Sequence, residues 1–337
     1  MNATMVLEKT KHYPVMLDQV LSIISPQHGG TFIDCTFGGG GYSKAILEFP
    51  NTRVIAIDRD DAAQHHATNV IKKFPKRFSF FQTKFSNLNK IIQFDLNPKA
   101  VIFDLGLSTF QLLDNNRGFS FKSNGFLSMQ MGINKYSAYD VVNTLDKKKL
   151  TSIIKILGEE KDGKIIANRI IKYREKQPIE TPEELNRIIR DAKKNHKNYK
   201  KNPATKTFQA IRIFVNQELT ELILGLFAAA ELLKKGGILL VVSFHSLEDK
   251  IVKNFFKLYS DVNKNPSRYL PPDKNRLTLF KLLSKKAKIP NEKEISINSS
   301  SRSAKLRYVI RSNDSFSYPK EFSKKFENYF KLEEIRL

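Results

Sequence analysis

The sequence predicts an α/β protein, a largely parallel sheet covered by helices, with an all-helical stretch inserted into it. Three observations carry this expectation. Over the first hundred residues, short and continuously apolar runs alternate with helical patterns, as strands buried on both faces require. The alternation stops after Leu113, and residues 114–205 show several helical patterns and no convincing strand. Strand-like runs then return in "ILLVVSFHS" and "SAKLRYVIR". The expected division is a discontinuous core, residues 1–113 and 206–337, around a helical insertion at 114–205.

In chain order, "TFIDCTF" reads as a strand, the four glycines follow at once, and "YSKAILEF" opens a helix. "RVIAID" and "DAAQHHATNVIKKF" repeat the unit, and "RFSFFQTKF" and "KAVIFDLG" continue it. In the insertion, "KKLTSIIKILG" and "IIANRIIKYREK" keep helical spacing. "TPEELNRIIRDAKK" starts with Thr181, Pro182 and Glu184, a capping box with proline at the first helical position. "FQAIRIFVNQELTELILGLFAAAELLKKGG" reads as one long helical stretch ended by Gly236 and Gly237. "SLEDKIVKNFFKLY" is a further helix, and residues 260–300 are Lys-, Asn- and Pro-rich and irregular.

Composition narrows the class. A hydrophobic content of 41% over 337 residues can fill a core. The most apolar run, "LILGLFAAAELL", falls short of the roughly 20 residues a membrane span needs. The N-terminal residues lack the apolar segment of a secretory signal, so a cytoplasmic protein with no membrane partner is expected. Cys35 is the only cysteine, which excludes an internal disulfide and a cysteine-built zinc site, and no metal-ligand cluster is visible. The net charge of +23 points to a polyanionic partner. The charge is clustered: residues 193–206 hold six lysines and no acid, whereas residues 1–100 balance twelve cations against eight acids. Clustering favours nucleic acid over a genome-wide compositional bias.

The candidate site begins at "FIDCTFGGGGYS". A strand running into a glycine-rich turn and a helix is where α/β proteins bind nucleotides. Asp34 lies inside that strand. Asp58 ends the next one, 18 residues after Gly40, where an acid can accept hydrogen bonds from ribose hydroxyls. Ser43 stands where a dinucleotide fingerprint would have its third glycine. Asp104 ends the fourth strand. By this reading the ligand is adenosine-bearing, either NAD or S-adenosylmethionine.

Seven segments, "HYPVM", "DCTFGGGGYS", "AIDRD", "DLGLSTFQLLDNNRGFSF", "NPATKTFQAIRIFVNQEL", "SFHSLEDKIVK" and "SRSAKLR", stand in the order seen in the RsmH (MraW) family, which the chain resembles from about residue 12 to 310. The resemblance implies a Rossmann-like class I S-adenosylmethionine-dependent methyltransferase sheet. It implies N4-methylation of a cytidine in the decoding region of small-subunit ribosomal RNA, in an assembled or near-mature subunit. By the same resemblance, Gly40, Gly41, Tyr42, Asp58, Phe85, Asp104 and Gln111 form the cofactor site. Two departures stand out: Tyr42 replaces the family's usual histidine, and the family's "GPLDMRM" is "GFLSMQM" here, losing an acid at Ser128 and an arginine at Gln130.

Methyl transfer requires orientation and exclusion of water. It also requires an acceptor near the attacking amine, for which Asp104 and Ser108 are the candidates. His245 is a candidate general base, although Ser246 and Asp249 have capping-box spacing and give it an alternative role in orienting the turn. Arg212 and Asn216, four apart on one helical face, would meet either protein carbonyls or the flipped base and its phosphate. Lys197, Lys200, Lys201, Arg302 and Arg307 are the expected RNA contacts, the lysines placing RNA binding on the insertion. The alternatives are an NAD-dependent oxidoreductase and an RNA-binding ribosome-assembly factor impaired in catalysis.

Overall fold

The computed structural model describes residues 13–92, 96–132, 134–193, 202–260, 278–312, 315–317 and 320–336. It falls into two compact units, Met1–Gly106 with Leu224–Tyr318, and Leu107–Ile223 with Pro319–Leu337.

The first unit carries a seven-stranded sheet: β1 (Gly30–Asp34), β2 (Thr52–Asp58), β3 (Phe78–Gln82), β4 (Ala100–Asp104), β5 (Ile238–Ser243), β6 (Phe280–Lys281) and β7 (Lys305–Arg311), in the spatial order β3-β2-β1-β4-β5-β7-β6. Strands β1 to β5 are parallel, and β7 runs antiparallel to β5 and β6. The sheet is therefore mixed. Strand direction at this edge depends on how the chain enters it, which the residues of "SAKLRYVIR" do not encode. The same unit holds α1 (Leu17–Ile24), α2 (Gly41–Leu47), α3 (Asp61–Lys73) and α4 (Leu88–Ile91). One core layer joins Phe32, Val54, Ala56, Ala100, Ile102, Leu240 and Val242 of the sheet to Val20, Ile46, Ala63, Ala67 and Val70 of the helices. Asp60 starts α3 by accepting the Ala62 N–H at 3.0 Å, leaving the 63, 67 and 70 stripe to face the sheet.

Pairing register places the acids. Asp34 lies opposite Ala56 on β2 and Ile102 on β4. Paired residues of parallel strands share a face, and faces repeat every second residue. Asp58 and Asp104, two residues beyond those partners, therefore join Asp34 on one face at the carboxyl edge. Between β1 and β4 the strand order reverses, the crevice where open α/β sheets bind ligands.

The second unit contains α5 (Thr109–Leu113), α6 (Ala138–Thr144), α7 (Lys147–Leu157), α8 (Gly163–Arg174), α9 (Pro182–Ala192) and α10 (Thr205–Asn216). Next, α11 (Glu218–Leu232) crosses the boundary between units. The chain continues with α12 (Ser246–Leu258) and α13 (Glu292–Ile297) in the first unit and α14 (Lys320–Lys325) and α15 (Glu327–Glu333) in the second. The Thr181 capping box on α9 forms as expected. The long helical stretch, in contrast, breaks at Gln217, whose φ of 52° is left-handed. Glycine and asparagine are the usual markers of that conformation, so a glutamine there carries no warning.

The C-terminal return was not visible in sequence. Buried Glu333 accepts the Leu219 N–H at 3.2 Å and the Thr220 N–H at 2.9 Å, supplying acceptors to the first turn of α11. Burial pushes its carboxyl up to about 8. Among the described residues, no single helix is long and apolar enough to cross a membrane.

Candidate active site

The glycine-rich turn is shaped first by the protein itself. Gly40 has a φ of 79°, and a Cβ there would come within 2.8 Å of the Phe37 ring; at Gly41 a Cβ would lie 2.3 Å from Cγ of Pro14. These two glycines are required by the fold's own packing. Gly39 differs, because a Cβ there meets nothing within 4 Å. The turn is tied down by the Gly38 N–H, which donates to Asp58 Oδ2 at 2.7 Å, and by Lys44 Nζ, which donates to the Gly39 carbonyl at 3.0 Å.

Three carboxylates end the strands behind this turn. Asp58 also accepts the Asp60 N–H at 2.8 Å, so each of its oxygens has one donor and keeps a lone pair for a ribose hydroxyl. Asp34 accepts the Ser43 hydroxyl at 2.6 Å and the Thr36 N–H at 3.2 Å. Ser43, unexplained as a replacement for glycine, is thus a partner of Asp34. Thr36 continues the chain of bonds, its hydroxyl accepting the Asp104 N–H at 2.7 Å. Sequence reasoning missed Thr36; the signal was its spacing of two from an acid, the pattern of a local side-chain-to-backbone bond.

Burial raises Asp34 and Asp58 to about 6, with the hydrogen bonds to each opposing the rise. Asp104 is pushed well above the ordinary range, chiefly by burial and then by the charges of Asp34 and Glu248. Its Oδ1 is buried and has no hydrogen-bond partner among the described residues. An orphaned acceptor within a group of strained acids suits a ligand bearing both positive charge and donors. The adenosyl sulfonium donor is such a ligand, and the residues present fit it.

The remaining cofactor candidates are placed as follows. Phe85 lies half-buried in the short turn after β3, edge-on to Phe103 at 5.3 Å, with Gly225 leaving room for its ring. Tyr42 is buried, and its hydroxyl donates to the Val15 carbonyl, so its phenol is used within the core. Gln111 and Ser108 belong to the second unit. They form the capping box of α5, where Gln111 Oε1 accepts the Ser108 N–H at 2.9 Å and Ser108 Oγ accepts the Gln111 N–H at 3.4 Å.

His245, rather than Ser246, is the N-cap of α12, which corrects the expected capping box. Its Nδ1 accepts the Glu248 N–H at 3.4 Å, and its Nε2 lies 3.0 Å from Glu248 Oε1. Glu248 in turn accepts the Phe244 N–H at 2.8 Å. Asp249 is free for another task and holds two cations of β7: Arg307 at 2.7 Å and Lys305 at 3.1 Å. Arg307 is therefore paired internally, whereas Arg302 is exposed.

In the second unit, Arg212 forms a fork on Glu218, with bonds of 2.8 and 2.9 Å. Asn216 is fully buried. Its Nδ2 donates to the Met129 carbonyl at 2.8 Å, and its Oδ1 accepts the Met131 N–H and Asn134 Nδ2 at 2.7 Å each. Asn216 thus grips the "GFLSMQM" segment, where Met129 adopts a left-handed φ of 55°. The residues that replace that segment's acid and arginine meet each other: Ser128 Oγ donates to Gln130 Oε1 at 3.1 Å, a neutral contact. Lys197, Lys200 and Lys201 lie outside the described residues.

Comparison with known proteins gives a consistent picture. A model of the MraW methylase family matches residues 9–312. The chain is similar to a ribosomal RNA small subunit methyltransferase H of Ehrlichia canis (strain Jake), 44% identical over 307 residues, covering 89% of this chain and 99% of the relative. Proteins of the same name from Rickettsia africae (strain ESF-5) and Hyphomonas neptunium (strain ATCC 15444) are 43% and 41% identical, covering 88% and 90% of this chain and 96% and 89% of their own.

Proposed function

The chain belongs to the MraW methylase family, and on that premise we propose that it methylates N4 of one cytidine in the decoding region of small-subunit ribosomal RNA, using S-adenosylmethionine, on an assembled or near-mature subunit. The observation that carries this reading is the trio Asp34, Asp58 and Asp104 on one face of the sheet's carboxyl edge, beside a turn with open space at Gly39.

S-adenosylmethionine supplies a methyl carbon already activated by its sulfonium. The protein's own work is placement and charge. Asp58 accepts the ribose, Phe85 offers an apolar ring to the adenine, and the three acids balance positive charge that would otherwise sit in an apolar crevice. A cation beside them favours their ionised forms, opposing the effect of burial. The exocyclic amine of cytosine shares its lone pair with the ring and must shed a proton. Asp104 Oδ1 is the acceptor offered for it. The fork on Glu218 and the burial of Asn216 favour a structural part for Arg212 and Asn216, and leave Arg302 as the more accessible cation.

Membership of a methylase family replaces the oxidoreductase alternative. The test is to incubate the purified protein with labelled S-adenosylmethionine and small subunits from cells lacking the activity, then digest the RNA to nucleosides. Labelled N4-methylcytidine is expected. Label on another nucleoside overturns the N4 assignment, and subunit binding without transfer favours the non-catalytic assembly factor.

A further inference from the structure

Phe126 is an aromatic side chain in the wrong place for a core residue. It is 52% exposed, on a segment that is otherwise fixed. Its neighbour Leu127 donates to the Glu180 carbonyl at 2.8 Å and accepts from the Tyr139 N–H at 2.7 Å, and Asn216 holds the chain from Met129 to Met131. The ring of Phe126 already lies against Tyr139, 5.3 Å away and tilted by 34°. One face of the pair is thus set in advance, and little order remains to be lost when something planar covers the other.

The surroundings are polar and carry both signs of charge. Lys122 and Lys135 are exposed on the same segment. Asn124, two residues before Phe126, lines a groove of about 800 Å³ along α9, together with Arg187 and Arg190. The groove also carries acids: Glu184 accepts backbone N–H groups in the α9 capping box and keeps its charge, Asp191 lies 4.0 Å from Arg169, Glu183 is exposed, and the groove's third cation, Lys193, is paired with Glu160. Among the described residues, no carboxylate pairs with Arg187 or Arg190; Arg187 donates to the Tyr173 hydroxyl at 3.1 Å.

Building on the RNA reading above, we infer that Phe126 and the α9 groove form a subsite for a single-stranded segment of the RNA substrate. An unpaired base stacks on Phe126, and neighbouring phosphates lie against Arg187 and Arg190. Stacking on aromatic side chains, with nearby arginines against the phosphates, is a general way proteins hold unpaired RNA with little regard to sequence.

The chain has no tryptophan, so Phe126→Trp carries a single tryptophan, at the shelf, that can be excited apart from the 11 tyrosines. Titration with unstructured oligouridine RNA should quench its emission. By anisotropy, Phe126→Ala should bind the same RNA about tenfold more weakly while Phe126→Trp binds as the wild type does. Arg187→Glu with Arg190→Glu should weaken binding and flatten its salt dependence. Because the side chain is exposed, Phe126→Ala should melt with the wild type. Unchanged affinity of Phe126→Ala, or unmoved tryptophan emission at saturating RNA, overturns the subsite while leaving the RNA reading intact. So does a loss of self-association in Phe126→Ala without loss of RNA affinity, which would make the shelf a protein contact. Failure of the wild type to bind both oligouridine and small subunits overturns the RNA reading and the subsite together.

Discussion

The carboxyl edge of the sheet and the Asn216 clamp are both polar arrangements set in apolar surroundings, and they end in opposite states. At the sheet edge, burial raises all three acids, and Asp104 keeps an acceptor with no partner among the described residues. Around Asn216, the amide oxygen and nitrogen both find protein partners, and the neighbouring Arg212 closes on Glu218. The first arrangement carries an electrostatic cost that a ligand can relieve. The second is already satisfied and serves to hold a segment in a strained shape. Polar residues of equal prominence in the sequence thus divide into those whose electrostatic cost a bound cation would relieve and those that complete the fold.

The sharpest test of that division is a pair of substitutions. Asp104→Asn should lower methyl transfer by about 10²–10³-fold. Its melting temperature should not fall, because burial opposes the charge that the substitution removes. Wild-type turnover by this variant would remove Asp104 from the chemistry. Asn216→Leu should do the reverse: unfolding in denaturant should cost about 3 kcal/mol less, since buried donors and acceptors lose their partners. The fraction still folded should take up S-adenosylmethionine normally. A stable, inactive Asn216→Leu protein would place that side chain at the substrate after all.

Within the glycine turn the same contrast appears over three residues. Gly39→Leu should weaken S-adenosylmethionine binding by at least about tenfold with melting unchanged, since the protein leaves the space open for something else. Gly41→Ala should lower the melting temperature, because its Cβ meets Pro14. Gly40→Ala should cost about 1 kcal/mol of stability through its left-handed backbone. Calorimetric binding and thermal melts separate the two outcomes, and equal binding by Gly39→Leu would mean that no ligand approaches there.

The smallest expected effect is on pH. Asp34 and Asp58 hold protons to about 6 in the folded chain and to about 4 when unfolded. The folded state therefore binds more protons in that window. The contribution of these acids to stability is full below about 4 and is lost as pH rises to about 6. Cation binding has the opposite sign. Affinity for S-adenosylmethionine should fall by up to about tenfold per pH unit below 6 for each linked acid. A flat affinity from pH 7 to 5 would uncouple these carboxylates from the ligand's charge.

Much of the sheet edge was legible in the sequence because the signals there are local. Strand, glycine turn and helix follow one another within "TFIDCTFGGGGYSKAILEF", and a strand's end fixes where its last acid stands. Even so, the residues mattered for reasons the pattern did not reveal: Gly41 makes room for Pro14, Ser43 bonds Asp34, and His245 displaces Ser246 as the cap of α12.

The sequence alone determined the α/β class, the alternation that yields five parallel strands, helices such as Lys147–Leu157, Gly163–Arg174 and Pro182–Ala192, and the acids at the strand ends. These follow from side-chain periodicity and from bonds between residues a few positions apart, which hold wherever the segment lies. Only the tertiary structure decided that β7 runs antiparallel, that the long helix breaks at Gln217, that Glu333 returns to cap α11, and that Asn216 binds Met129 and Met131. In each case the partner is supplied by distant chain. A buried polar group takes whatever complement packing brings within about 3 Å, and that choice is made only when the chain has folded.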